Sequence, residues 1–144
     1  MIEITENQTL TITPAIKELI RSLRNRGVLF ALDDFGTGYA NLCYLNELDL
    51  DVIKIDKTFI KAIKEVEQHI PMLESIIHLS GLLGLRMVAE GVEYGYQQQW
   101  LRKNNVDYLQ GYQFLPPVMF DDFMRFYKQS VGLFESASDS TFSA

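Results

Sequence analysis

The sequence alternates two kinds of segment along most of its length, and this restricts the fold more than any other feature. Segments of strand length lie near residues 2–5, where apolar and polar residues alternate, and near 28–33, 52–55, 85–90 and 106–110. Between them the apolar residues fall three and four apart, as in Ile16, Leu19, Ile20 and Leu23. Strands that alternate with helices predict βα units and a parallel sheet, an α/β fold. The punctuation agrees. Thr13 and Pro14 fit the N-cap and first position of a helix, and Gly27 and Gly84 fit helix stops. Further helices are expected over 39–48, 57–66, 71–83, 96–103 and 120–127. Residues 1–134 read as one domain, and 135–144, rich in Ser, Ala and Asp, as a flexible tail.

Parallel strands are covered on both faces and should be mostly apolar. Here polar residues stand at their carboxyl ends: Asp33, Asp34, Lys54, Glu90 and Gln110, with Glu3 inside the first run. The carboxyl ends of such strands are where α/β folds build their sites, so these residues are expected to converge on one rim. Clustered carboxylates cannot all ionise without a cation to offset their repulsion. Oxygen donors suit Mg²⁺ or Mn²⁺ better than Zn²⁺. Asp33 and Asp34, adjacent at one strand end, could serve two ions, and Lys54 adds a fixed positive charge suited to an anionic substrate. The expectation from chemistry alone is metal-assisted phosphoester hydrolysis. A single strand-end carboxylate is more often a helix N-cap or a solvated loop residue, but decoration of all five strands favours a site. A response-regulator receiver also combines an acidic pair with a lysine. Its pair sits on the first strand and its lysine on the last, an order this chain does not follow.

Composition narrows the classes further. Net charge is −6, with 13 basic and 19 acidic residues interspersed, so there is no basic footprint for DNA. Cys43 is the single cysteine, which excludes an internal disulfide or a cysteine-rich zinc site and fits a reducing cytoplasm. No apolar run approaches the roughly 18 residues of a membrane span. His69 and His78 share no metal-ligand spacing. Arg24 and Arg26 precede a strand's amino end and point away from the rim. Trp100, Tyr94, Tyr96, Phe120, Phe123 and Phe126 are expected in packing.

Five strings resemble the EAL-domain family of cyclic di-GMP phosphodiesterases. They are Ile2-Glu3-Ile4-Thr5-Glu6, Leu32-Asp33-Asp34-Phe35-Gly36-Thr37-Gly38-Tyr39, Ile53-Lys54-Ile55-Asp56-Lys57-Thr58-Phe59, Val88-Ala89-Glu90-Gly91-Val92-Glu93 and Leu109-Gln110-Gly111-Tyr112. They come in family order with family-like spacing over about residues 1–120. The resemblance implies a TIM-type (β/α) barrel, of which this chain would hold about five parallel strands, the last five of eight. It implies a metal-dependent phosphoric diester hydrolase, with Mg²⁺ or Mn²⁺, that opens cyclic di-GMP to pGpG. Glu3 and Asp33 would be ligands of the first metal, with Asp33 bridging to a second held also by Asp34 and Glu90. Lys54 would position the attacking water, with Glu90 as a base and Gln110 near that water. Glu93 would steady the loop that starts at Phe35, Gly36, Thr37 and Gly38 and couples dimerisation to catalysis.

The same resemblance implies that the Glu-Ala-Leu strand and an asparagine of the third strand, both metal-ligating, are missing. The chain is then a truncated domain, inactive or very slow alone. The alternative is a non-catalytic EAL-derived regulatory or protein-interaction module. A partial barrel leaves open edges and an inner layer in which Leu29, Ala31, Val52, Ile53, Met87 and Val88 should lie partly bare. A homodimer, segment exchange or a covering protein is therefore expected.

Overall fold

The computed structural model describes residues 1–5, 12–36 and 42–138. Its strands are β1 (Ile2–Thr5), β2 (Phe30–Phe35), β3 (Val52–Ile55), β4 (Arg86–Glu90) and β5 (Tyr108–Gln110). Its helices are α1 (Pro14–Arg24), α2 (Leu42–Glu47), α3 (Lys57–Ile60), α4 (Pro71–Leu82), α5 (Gly95–Lys103) and α6 (Phe120–Ser138). The strands form one sheet in the order β1-β2-β3-β4-β5, and every neighbouring pair is parallel. A doubly wound sheet reverses its order at a switch point. Here each strand lies beside the next in sequence, so the sheet is an arc of a TIM-type barrel. The chain divides into two compact units, Met1–Phe114, which holds all five strands, and Leu115–Ala144, which holds α6. No described helix is long and apolar enough to cross a membrane.

Local chemistry sets the element boundaries. The Thr13 hydroxyl accepts from the Ile16 amide at 3.3 Å, and Pro14 opens α1. At the other end Gly27, at φ +84°, lets the Val28 amide return to the Leu23 carbonyl. That turn uses residues 27–29, so β2 starts at Phe30 and not at 28. The helix expected over 57–66 closes after Ile60. Gln68 explains this: its side chain accepts from the Lys64 amide at 2.7 Å and donates to the Ala62 carbonyl at 3.2 Å, diverting the backbone groups a longer helix needs. α6 continues past Tyr127 to Ser138, and residues 139–144 lie outside the described set.

The pleat sorts strand residues onto two faces. Phe30, Leu32, Ile53, Ile55, Met87 and Ala89 join Ile20, Tyr44, Leu48, Ile60, Leu73, Ile76, Trp100 and Leu101 in one core between sheet and helices. Trp100 is buried there, and its indole donates to the Gln68 carbonyl at 2.7 Å. Tyr94, Phe120, Phe123 and Phe126 are exposed, with Tyr94 stacked on Tyr96 and Phe123 on Tyr127.

The inner face corrects a second expectation. Leu29 and Val88 are partly bare, but Ala31, Val52, Ile53 and Met87 are buried. Ile53 and Met87 belong to the helix-side core. Ala31 pairs in register with Glu3 and Val52, and Val52 with Arg86. Small inward residues thus stand in register with long charged ones on the neighbouring strands.

Two aspartates pin the amino ends of the strands. Asp51 accepts from the Phe30 amide at 2.9 Å and from both Nη2 and Nε of Arg24, at 2.6 and 3.3 Å. Asp107 accepts from the Met87 amide at 2.8 Å. Arg24 therefore faces away from the rim, as the sequence implies. Burial works to raise the Asp51 pKa, but the hydrogen bonds from Arg24 and Phe30 outweigh it and hold it below the usual 3.8. A depressed carboxyl stabilises the fold above its unfolded pKa and loses that contribution as pH falls through the folded value. Asp51→Ala is expected to cost about 1.5–3 kcal/mol at neutral pH. Urea denaturation measures this, and the gap from wild type should shrink as the pH is taken below 3.8.

Candidate functional site

At the carboxyl rim the inward side chain of Lys54 reaches three acids on three other strands. Its Nζ lies 3.0 Å from Glu3 on β1, 3.0 Å from Asp33 on β2 and 2.8 Å from Glu90 on β4. Lys54 is buried, Asp33 and Glu90 are partly buried, and Glu3 is the most exposed of the set. Burial by itself would lower the lysine pKa. Hydrogen bonds to Glu90, Glu3 and Asp33 more than reverse that, so the ammonium titrates well above the ordinary 10.5. Three carboxylates against one ammonium leave the rim negatively charged.

Asp34 is not one of the three partners. Register with β3 shifts between Leu32 and Phe35, and Asp34 adopts φ +56° within that irregularity. Its amide donates to Asp33 Oδ1 at 3.0 Å, which fixes the carboxylate that Lys54 engages. Phe35 is buried in the helix-side core. Gly36 has φ +89°, and a Cβ there would stand 2.7 Å from the Phe59 ring. Thr37 and Gly38 lie outside the described residues.

Beside Glu90 opens a cavity of about 300 Å³, lined also by Lys57, Lys61, Glu93, Gln110 and Tyr112. Its floor is the close meeting of two turns. The Val92 amide donates to the Gln110 carbonyl at 3.0 Å, and the Gln113 amide donates to the Val92 carbonyl at 2.9 Å. Gly111 sits against the Val92 main chain, where any side chain would overlap it. Gly91, at φ +69°, leaves room for the Lys57 stem, 2.6 Å from where a Cβ would be. Gln97 is buried and ties these parts together. Its Oε1 accepts from the amides of Glu93 and Tyr94, at 2.8 and 3.1 Å, and its Nε2 donates to the Ile60 carbonyl at 3.1 Å.

The structure thus gathers Glu3, Asp33, Lys54 and Glu90 at one point, and Glu90, Glu93 and Gln110 around one cavity. Asp34 stands outside the first group. Sequence reasoning missed Lys57, Lys61, Tyr112 and Gln97. Gln97 carried a signal, a Gln three residues past Tyr94 at a helix start, whereas the cavity residues required knowledge of how the loops pack. His69 lies at the surface against Glu74, at 2.7 Å.

The donors are hard oxygens suited to Mg²⁺ or Mn²⁺, but their arrangement does not fit a metal. Among the described residues no three His, Cys, Asp or Glu side chains converge to hold an ion. The three acids that come closest are turned to the ammonium of Lys54.

Gly111→Ala is expected to destabilise the fold by about 1–3 kcal/mol, because the added carbon must push Val92 away. Thermal or urea unfolding measures the loss, and exchange of the Val92 amide should accelerate with it.

Comparison with known proteins gives a consistent family. The EAL domain model matches residues 1–117. Cyclic di-GMP phosphodiesterase PdeL of Escherichia coli (strain K12) is 41% identical over 120 residues, 82% of this chain and 33% of that protein. The EAL domain of Mycobacterium smegmatis DcpA superposes with a TM-score of 0.77 at 31% identity, over 88% of this chain and 57% of that one. The manganese and cyclic di-GMP complex of Klebsiella pneumoniae BlrP1 superposes with a TM-score of 0.64 at 32% identity, over 78% of this chain and 29% of that one. The chain therefore spans about a third of the curated relative's length. On the match over residues 1–117, carried by a barrel arc whose polar residues gather at the carboxyl rim, the chain belongs to the EAL domain family.

Proposed function

We propose that this chain forms the cyclic di-GMP-binding rim of an EAL phosphodiesterase and that, alone, it hydrolyses the nucleotide to pGpG very slowly or not at all. The observation that carries the proposal is the convergence of Lys54 with Glu3, Asp33 and Glu90 at the strand ends. A buried ammonium facing the mouth is a ready partner for a phosphate oxygen. The amide of Gln110 and the carboxylate of Glu90 line the adjoining cavity and can orient water or the nucleotide. Glu3, Asp33, Asp34 and Glu90 supply the donor type that Mg²⁺ and Mn²⁺ prefer, and the Klebsiella relative carries manganese with cyclic di-GMP. Glu93, Phe35, Gly36, Thr37 and Gly38 would couple the loop after β2 to a dimer contact.

The arrangement supports the reading of slow turnover. The acids face Lys54 and no described set of three converges on an ion. A displacement of about 1 Å in a reacting group costs roughly 10²-fold in rate. The same observation favours the second reading, a regulatory module that binds without turnover. The unpaired outer edges of β1 and β5 among the described residues suit cover by a second copy or another protein.

Calorimetry with cyclic di-GMP and Mn²⁺ should show binding by the wild-type chain and weaker binding by Asp33→Asn, while chromatography finds little or no pGpG. Absence of nucleotide binding sinks the proposal, and brisk pGpG release refutes its kinetic part. Sedimentation velocity should show association that grows with concentration; a monomer throughout would count against the covered edges.

A further inference from the structure

We infer that Gln97 is a positioning residue: its buried side-chain amide sets the separation between the two charged walls of the cavity beside Glu90 and so holds that cavity ready for the nucleotide. The inference rests on the proposal above that the rim receives cyclic di-GMP. The two walls come from different elements. Lys57 opens α3 and Lys61 follows its last residue, whereas Glu90 ends β4 and Glu93 lies in the turn beyond it. Opposite charges facing one cavity attract. Yet among the described residues no ion pair joins either lysine to either glutamate. The spacing of the walls is therefore set by a different contact.

Gln97 supplies that contact. It stands in the first turn of α5 and is only 2% exposed. Its Oε1 accepts from the Glu93 and Tyr94 amides at 2.8 and 3.1 Å, on the glutamate wall. Its Nε2 donates at 3.1 Å to the carbonyl of Ile60, the residue before Lys61, on the lysine wall. Among the described residues no main-chain hydrogen bond passes between α3 and this turn, so the side chain carries the link. The chemistry is specific. A primary amide accepts at one end and donates at the other, a carboxylate has no donor, and Asn is one methylene shorter. Displacing either wall would leave a buried polar group unmatched, which is expensive. The Val92 main chain already joins this turn to the one after β5, so Gln97 brings the α3 wall into the same unit.

Two variants of the 144-residue chain separate the two ends of the amide. Gln97→Met keeps the volume and removes both ends. Gln97→Glu keeps the acceptor for the Glu93 and Tyr94 amides and loses the donor to Ile60. Calorimetry with cyclic di-GMP and Mn²⁺ should find both variants binding about 10-fold more weakly than wild type, the loss when the competent arrangement falls to a tenth of the population. Without nucleotide, hydrogen exchange at Glu93 and Tyr94 should be slow in wild type and Gln97→Glu and fast in Gln97→Met. Burial favours the protonated form of the introduced carboxyl, which can then donate to Ile60. Acidification should therefore restore binding by Gln97→Glu and not by Gln97→Met, with each affinity taken relative to wild type at the same pH. A role confined to stability would lower the melting temperature and leave the affinity of the folded variants at the wild-type value, and that result overturns the inference. If neither variant folds, the wild type decides: fast exchange of its Glu93, Tyr94 and Gln97 side-chain amides overturns it. If wild type binds no cyclic di-GMP, the functional proposal falls, and the nucleotide-free exchange pattern still decides for Gln97.

Discussion

One ammonium ion organises the carboxyl end of the sheet. Lys54 bonds to acids on β1, β2 and β4 from its own place on β3, so a single charge links four of the five strands. Such a cluster is not a large source of net stability, because every charge in it has been partly stripped of water. Its worth is positional. Removing Lys54 would leave three carboxylates without their shared counter-charge, so the ammonium holds the strand ends at the spacing the cluster requires.

The amino ends of the strands are held by a different chemistry. There Asp51 and Asp107 accept main-chain amides of the neighbouring strands, and Arg24 clamps Asp51. These contacts are local, saturated and turned away from the mouth. The barrel arc therefore differs at its two ends, with saturated main-chain contacts at one and a cluster of charged side chains at the other. The helix-side core joins the two ends, and Gln97 links the turn after β4 to the end of α3, setting the wall of the cavity next to Glu90.

Much of this could be read in the residues. The runs ending near Asp34, Lys54, Glu90 and Gln110 mark four strands to within about two residues, and in β2 and β3 burial leaves little freedom of composition. The meeting of Glu3, Asp33, Lys54 and Glu90 at one rim follows from parallel strands pointing the same way. Other features depended on contacts between distant residues. Nothing in the run from Lys57 to Val66 announces that the Gln68 side chain will stop α3. The burial of Ala31 and Val52 depends on neighbouring strands, which no periodicity within one strand records. Asp34 looks equivalent to Asp33 in sequence, yet a backbone irregularity with positive φ sets it apart.

The pleat of β3 carries a further consequence. Ile53 and Ile55 enter the helix-side core while Val52 and Lys54 face inward, so greasy and ionic neighbours differ only in parity. Sliding this four-residue strand by a single position would bury an ammonium in the apolar helix-side core and set two isoleucines among the carboxylates of the inner face. A mispaired sheet would therefore carry a severe electrostatic fault at its centre. The charge of Lys54 thus disfavours every register of β3 that turns it toward the helices.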